Sequence, residues 1–135
     1  MGDRTTGRSR ESSAVKESEQ RDRFLVDEML RHLDVVGLEL RKGRDRIETD
    51  AEVRYALEHA TELLAEAAEK TSRLFKSANP EIAWKALRKF RHDVAHPYDA
   101  GAMSVTAQQL WKFARDDAPA IAQRLKRAAF PKGSK

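Results

Sequence analysis

The chain has 135 residues, of which 40% are hydrophobic and 36% charged, and it contains no cysteine. This length suits one domain with a single modest core. Without cysteine, the chain has no disulfides, no thiolate nucleophiles and no zinc sites that need sulfur. No apolar run approaches the roughly 20 residues of a membrane helix, and no apolar stretch typical of a signal peptide begins the chain. We therefore expect a cytoplasmic protein that does not enter a membrane.

The formal net charge of +4 is concentrated in particular segments. Residues 118–135 carry five basic side chains and no acidic one. Two further basic clusters lie inside the chain: Arg41, Lys42, Arg44 and Arg46, and then Lys85, Arg88, Lys89 and Arg91. Such clusters suit a polyanion such as RNA, but they also occur on ordinary solvated faces.

The N-terminal part of the chain divides into a tail and a helix. Residues 1–20 contain almost no large apolar side chain, so we expect a disordered tail there. From Arg21 onward, apolar residues recur at steps of three and four as far as Leu40. This spacing predicts a first helix, which ends at Gly43.

Two pairs of residues mark the starts of the next helices. Thr49 and Glu52 have the spacing of a capping box, so a second helix is expected to begin there and to continue nearly to Lys76. Asn79 followed by Pro80 predicts the cap and the first position of a third helix.

Prolines delimit the remaining helices. Pro97 is expected to end the third helix, because proline removes an amide and restricts the residue before it. A fourth helix is predicted to begin near Ser104, and Pro119 either kinks it or begins a short fifth one. No segment alternates with period two. The sequence therefore predicts an all-α antiparallel bundle of four to five helices over residues 21–129, with a basic tail at 130–135.

The stretch from Lys85 to Tyr98 gathers cations, two histidines and a tyrosine around one predicted helix end. In an ideal helix, Arg91 and His96 would point about 140° apart. Pro97 unwinds the chain at His96, so the imidazole can swing back toward the guanidinium. A fixed charge beside a group that titrates near neutrality suits cleavage of an RNA phosphodiester without a metal.

The same residues resemble a known motif. Four residues separate Arg91 from His96, and one residue separates His96 from Tyr98. This spacing resembles the Arg-x4-His-x-Tyr motif of the HEPN superfamily. Three other segments are similar to segments of HepT-like toxins, in the same order: Glu62-Leu63-Leu64-Ala65-Glu66-Ala67-Ala68, Pro80-Glu81-Ile82-Ala83-Trp84 and Asp117-Ala118-Pro119-Ala120-Ile121. The resemblance covers roughly residues 22–128.

The resemblance implies a homodimeric, metal-independent endoribonuclease toxin that needs no cofactor. It implies that two pairs of Arg91 and His96 face each other across a groove at the dimer interface. It also implies a minimal nucleotidyltransferase antitoxin, which silences the toxin by attaching AMP to Tyr98. The chain departs from the family at His92, where the family usually has asparagine. This departure favours an alternative hypothesis, a catalytically inactive HEPN subunit that binds a nucleotidyltransferase.

Other residues are assigned supporting roles in the ribonuclease hypothesis. The patch expected to attract the RNA backbone consists of Lys85, Arg88 and Lys89. The residues expected to support the site are His92, Asp93, Glu62 and Glu66.

A third hypothesis is a metal-binding helical module. His92 and His96 have the i, i+4 spacing of metal ligands, with Asp93 and Asp99 nearby. However, Pro97 disrupts the helical register at His96, so we expect no metal site. Only the ribonuclease hypothesis predicts RNA cleavage that survives a chelator.

Overall fold

The structure is a computed structural model, which describes residues 2–95 and 106–131, with side chains described over 13–93 and 106–131. The secondary structure of these residues is helical and contains no strand, which confirms the predicted all-α class. The helices in chain order are α1 (Gly2–Leu40), α2 (Arg44–Thr49), α3 (Ala51–Lys70), α4 (Arg73–Ala78), α5 (Trp84–Ala95), α6 (Ala107–Lys112), a π-helical segment (Phe113–Asp117) and α7 (Ala118–Lys126).

The centre of the bundle is the pair of long helices α1 and α3, against which α2, α5, α6, α7 and the π-helical segment pack. Met29 and Val36 of α1 and Leu57 and Leu64 of α3 are completely buried. The predicted core stripe of the first helix is thus confirmed in these residues. The helix itself begins at Gly2, well before Arg21, and so includes the segment expected to be a tail. Its arginines, lysines and glutamates favour a helix even without an apolar face.

A short helix that the sequence did not predict precedes α3. Gly43 has a φ of 98°, which turns the chain from α1 into α2. Thr49 is the last residue of α2, and its hydroxyl donates to the Asp45 carbonyl at 2.7 Å. The cap of α3 is Asp50, whose Oδ1 accepts from the amides of Glu52 and Val53. The predicted cap at Thr49 is therefore wrong by one residue.

The expected second helix is interrupted before Lys76. It ends at Lys70, and Ser72 caps the separate helix α4. The Ser72 amide and hydroxyl donate to the two oxygens of Asp22 on α1, at 2.8 and 2.6 Å. This long-range contact gives the Ser72 amide a hydrogen-bond partner at the break between α3 and α4. It also places Asp22 of α1 beside the end of α3.

Asn79 does not cap the third predicted helix. It follows α4, where its side-chain nitrogen donates to the Phe75 and Ala129 carbonyls at 2.9 and 2.8 Å, and its Oδ1 accepts from the Ala129 amide at 2.8 Å. Helix α5 begins later, at Trp84, whose indole N–H donates to the Asn79 carbonyl at 2.9 Å. The predicted cap at Asn79 is wrong because the Asn79 side chain forms hydrogen bonds with the backbone of Ala129 in the C-terminal segment.

The C-terminal segment is packed on the bundle beyond α7. The Phe130 ring lies 5.1 Å from the Phe75 ring, and the Arg23 guanidinium lies 4.1 Å above Phe130. Phe130 therefore belongs to the packed bundle, although the sequence predicted it to lie in the basic tail.

Thr106 begins α6 by a capping box with Gln109. Pro119 stands in the first turn of α7, one of the two outcomes expected for it.

Candidate functional site

Helix α5 carries most of the described candidate residues, and its apolar side fixes its orientation. Leu87 is completely buried, and the Phe90 ring packs 5.7 Å from the Phe113 ring. The helix also lies against α3. Because these contacts hold one side of α5 in the core, its charged side is turned to solvent.

Arg91 lies on α5 and is exposed. Its neighbour Asp93 pairs with Lys89, one turn earlier, with 3.7 Å between Nζ and Oδ2. Among residues 13–93 and 106–131, no ion pair or hydrogen bond occupies the Arg91 guanidinium. A guanidinium in this position can present its planar fork of N–H donors to an anion such as a phosphate.

His92 is also exposed, immediately after Arg91 on the same helix. It stands at the position where the resemblance led us to expect asparagine. An imidazole and an amide both form hydrogen bonds, but they present different donor and acceptor atoms. The substitution therefore changes the chemistry available beside Arg91.

The three residues assigned to the RNA backbone are all exposed along α5. Lys85 lies in the first turn, and Arg88 and Lys89 follow in the second. Arg88 lines a small cleft together with Lys76 of α4 and Trp84. The charged side of α5 therefore presents cations from its first turn to Arg91.

Glu62 and Glu66 are half-buried on α3, the helix against which α5 packs. In the described part of the chain, no hydrogen bond or ion pair joins either carboxylate to a residue of α5. Their expected role in supporting the site thus stays a prediction.

His96 and Tyr98, together with Asp99, lie outside the described residues. The geometry of the pair of Arg91 and His96 is therefore a prediction from the sequence.

Within the described side chains, no group of three or more histidines and carboxylates is arranged to hold a metal ion. The helices of the described chain also include none that is both long and apolar enough to cross a membrane.

Comparison with known proteins agrees with the resemblance found in the motif residues. A model of the family described as "Ribonuclease HepT-like" matches residues 13–128, which is most of the chain. The chain belongs to the HepT-like ribonuclease family. The match begins inside the segment expected to be a tail, and it contains all of α2 to α7.

One similar relative in this family is "Probable ribonuclease HepT" of Thermococcus cleftensis. The two chains are 29% identical over 72 residues, which are 53% of this chain and 62% of the relative. The similarity therefore covers less than two thirds of the relative's length. No solved structure matches the chain significantly.

A group of basic residues near the turn before α5 is not part of the sequence motif. Arg124 of α7 donates to the Glu81 carbonyl, in the turn that leads into α5. Lys126 and Arg127 follow it, and both are exposed. The absence of acidic residues from 118–135 was a signal that these cations have a role, but no local pattern places them near the turn before α5. In this HepT-like chain, only the packing of the C-terminal segment does so.

Proposed function

We propose that this chain is a metal-independent endoribonuclease in which Arg91 and His96 perform the cleavage. The observation that carries this proposal is the exposed Arg91 on the cationic side of α5, in a chain of the HepT-like ribonuclease family. The substrate is single-stranded or looped RNA, because a ribose 2′ hydroxyl must be free to align with the phosphorus that it attacks.

The two residues have different tasks in the reaction. Arg91 binds the non-bridging phosphate oxygens and stabilises the negative charge that develops on them. His96 moves a proton at the 2′ hydroxyl or at the leaving oxygen. Lys85, Arg88 and Lys89 attract the RNA backbone toward these groups.

The active form is a homodimer. Cleavage removes a proton from the attacking oxygen and delivers one to the leaving oxygen, so it needs both a base and an acid. Each chain contributes one motif imidazole, that of His96. In a dimer, the two-fold axis places the same imidazole of the second chain in the shared site. The partner's copy of the motif thus completes the site.

A minimal nucleotidyltransferase acts as the antitoxin and transfers AMP from ATP to Tyr98: the phenol oxygen loses its proton and bonds to the α-phosphorus, and pyrophosphate leaves. The added phosphate is negatively charged, and it lies two residues from His96. It therefore binds the guanidinium that would otherwise hold the RNA phosphate. Modification prevents cleavage by competing for Arg91 as well as by its bulk.

The second candidate function is a catalytically inactive subunit that binds a nucleotidyltransferase. The observation that favours it is His92, which stands beside Arg91 in place of the family's asparagine. In this case the chain binds the partner through the surface around Tyr98, and RNA is not cut.

The test is cleavage of a single-stranded RNA in excess EDTA. We expect the purified protein to cut the RNA and the His96→Ala variant to lose cleavage, with its helical circular dichroism unchanged. Cleavage by His96→Ala would contradict the catalytic assignment. Cleavage that stops in EDTA and returns with Mg²⁺ would contradict metal independence. No cleavage by the wild type, together with tight binding to the nucleotidyltransferase, would favour the inactive subunit.

A further inference from the structure

Two basic segments that are far apart in the sequence meet at the end of the bundle where α5 begins. The Arg124 guanidinium of α7 donates to the Glu81 carbonyl, in the turn before α5. Asn79 and Ala129 exchange two hydrogen bonds of 2.8 Å between the same turn and the residues after α7. These contacts hold the C-terminal end of α7 against the turn that leads into α5.

The side chains at this end carry positive charge. We name the group formed by five exposed residues the basic end: Lys85, Arg88, Arg124, Lys126 and Arg127. Arg124 donates to a neutral carbonyl, so its charge is not compensated there. Glu81 and Glu69 are the nearby acids, the first in the turn and the second on the cleft that Arg88 lines.

The basic end differs from the other internal basic cluster, at the junction of α1 and α2. There Lys42 pairs with Glu39, and Arg44 pairs with Glu48, at 2.9 and 3.1 Å. By contrast, over residues 13–93 and 106–131 no member of the basic end forms an ion pair. A polyanion gains most from cations whose charge is not already neutralised, so the basic end suits it better.

The basic end is connected to the candidate site by a row of side chains. Arg91, Arg88 and Lys85 recur every three residues, which places them along one inclined row of the helix surface. Lys85 lies about 9 Å from Arg91 along the helix axis, since an α-helix rises 1.5 Å per residue. The row thus leads from Arg91 to the first turn of α5, which follows directly after the turn that Arg124 contacts.

We propose that the RNA backbone runs from Arg91 along α5 to the basic end, where Lys126 and Arg127 bind phosphates on one side of the cleaved bond. This proposal rests on the proposed ribonuclease function. It assigns to the C-terminal part of α7 a role in holding substrate. In the proposed homodimer, the two-fold axis places a second basic end on the other side of the cleaved bond.

Binding can be measured without cleavage in the His96→Ala protein, with fluorescein-labelled oligouridylates as the probe. In this background, the double variant Lys126→Gln with Arg127→Gln tests the basic end. The matched control is Lys42→Gln with Arg44→Gln, which removes two positive charges at the other cluster. Circular dichroism and thermal melting check that all the proteins remain folded.

We expect the basic-end variant to bind a long oligouridylate about 10-fold more weakly at low salt, and the slope of log Kd against log salt to fall by about 1.4. The control pair is expected to change neither value. A dinucleotide, whose single phosphate lies at Arg91, should bind equally to all the proteins. Extending the dinucleotide to the long oligouridylate should restore the difference.

Three outcomes would overturn this proposal. These are an unchanged affinity for long RNA in the basic-end variant, an equal loss in both double variants, and a loss of nucleotidyltransferase binding with RNA affinity unchanged. The last would identify the basic end as a protein-binding surface. If the His96→Ala protein with its basic end intact binds no RNA at all, the proposed function fails instead.

Discussion

The carboxylate of Asp22 accepts hydrogen bonds from both the amide and the hydroxyl of Ser72, 50 residues further along the chain. Asp22 is only 4% exposed. Replacing it with alanine leaves both Ser72 donors without their partner, so we expect Asp22→Ala to lower the free energy of unfolding by about 1–3 kcal/mol. Urea denaturation measures this loss. Asp27→Ala, at an exposed position of the same helix, is the control and should change stability little.

The cap of α3 makes stability depend on pH. The Arg46 side chain donates a hydrogen bond to Asp50, and this contact is the main cause that lowers the pKa of the Asp50 carboxyl, with help from the Val53 and Glu52 amides. A carboxyl whose pKa is lower in the folded chain stabilises it above the unfolded pKa, and this contribution disappears as the pH falls through the folded pKa.

We therefore expect Asp50→Ala to destabilise the protein at neutral pH, with a difference from wild type that narrows as the pH falls below the unfolded pKa of about 3.9. Thermal melting across this pH range is the measurement. Thr49→Ala removes only the hydroxyl bond to Asp45, so it should have a smaller effect at neutral pH. If Thr49→Ala destabilised the protein more than Asp50→Ala at neutral pH, Thr49 would be the cap after all.

Arg91→Lys tests whether the guanidinium acts on the transition state. A lysine keeps the charge but cannot present two parallel donors to a phosphate. We expect kcat for RNA cleavage to fall about 100-fold or more, because a transition-state contact is removed. Arg91 is exposed, so the melting temperature should not change. Arg21→Lys, at another exposed position, is the control, and equal activity of the two variants would contradict the role of Arg91.

Tyr98→Phe separates cleavage from its control. The phenol oxygen is the proposed acceptor of AMP, but it takes no part in the proposed proton transfers. We expect the variant to cut RNA at a near-normal rate and to escape silencing by a cognate nucleotidyltransferase supplied with ATP. Intact-mass measurement shows whether AMP has been added. If the phenylalanine variant is still silenced, with AMP on another residue or on none, the proposed switch is wrong.

The proposed dimer predicts a particular mass. Light scattering at micromolar concentration should give twice the mass of one chain. Full activity in a protein with the mass of a single chain would show that the second imidazole is not needed, and it would refute the shared site.

The sequence by itself determined the helical class, the motif and the family. The steps of three and four in α1 and α5 predict which side of each helix is buried, because one turn of helix is a local repeat of about 3.6 residues. Leu87 and Met29 are buried as this spacing predicts. The motif from Arg91 to Tyr98 is likewise local, so it could be read directly from the chain.

Only the tertiary structure decided where the helices break and which charges lie together. Asp22 binds Ser72 at the break before α4, and Asn79 binds Ala129 instead of capping the next helix. Both contacts join groups 50 residues apart. A polar side chain can satisfy a local amide or a distant one, and the choice depends on which group the folded chain brings within hydrogen-bond distance. For the same reason, Arg124 of α7 is distant from Glu81 in the sequence but donates to its carbonyl in the fold.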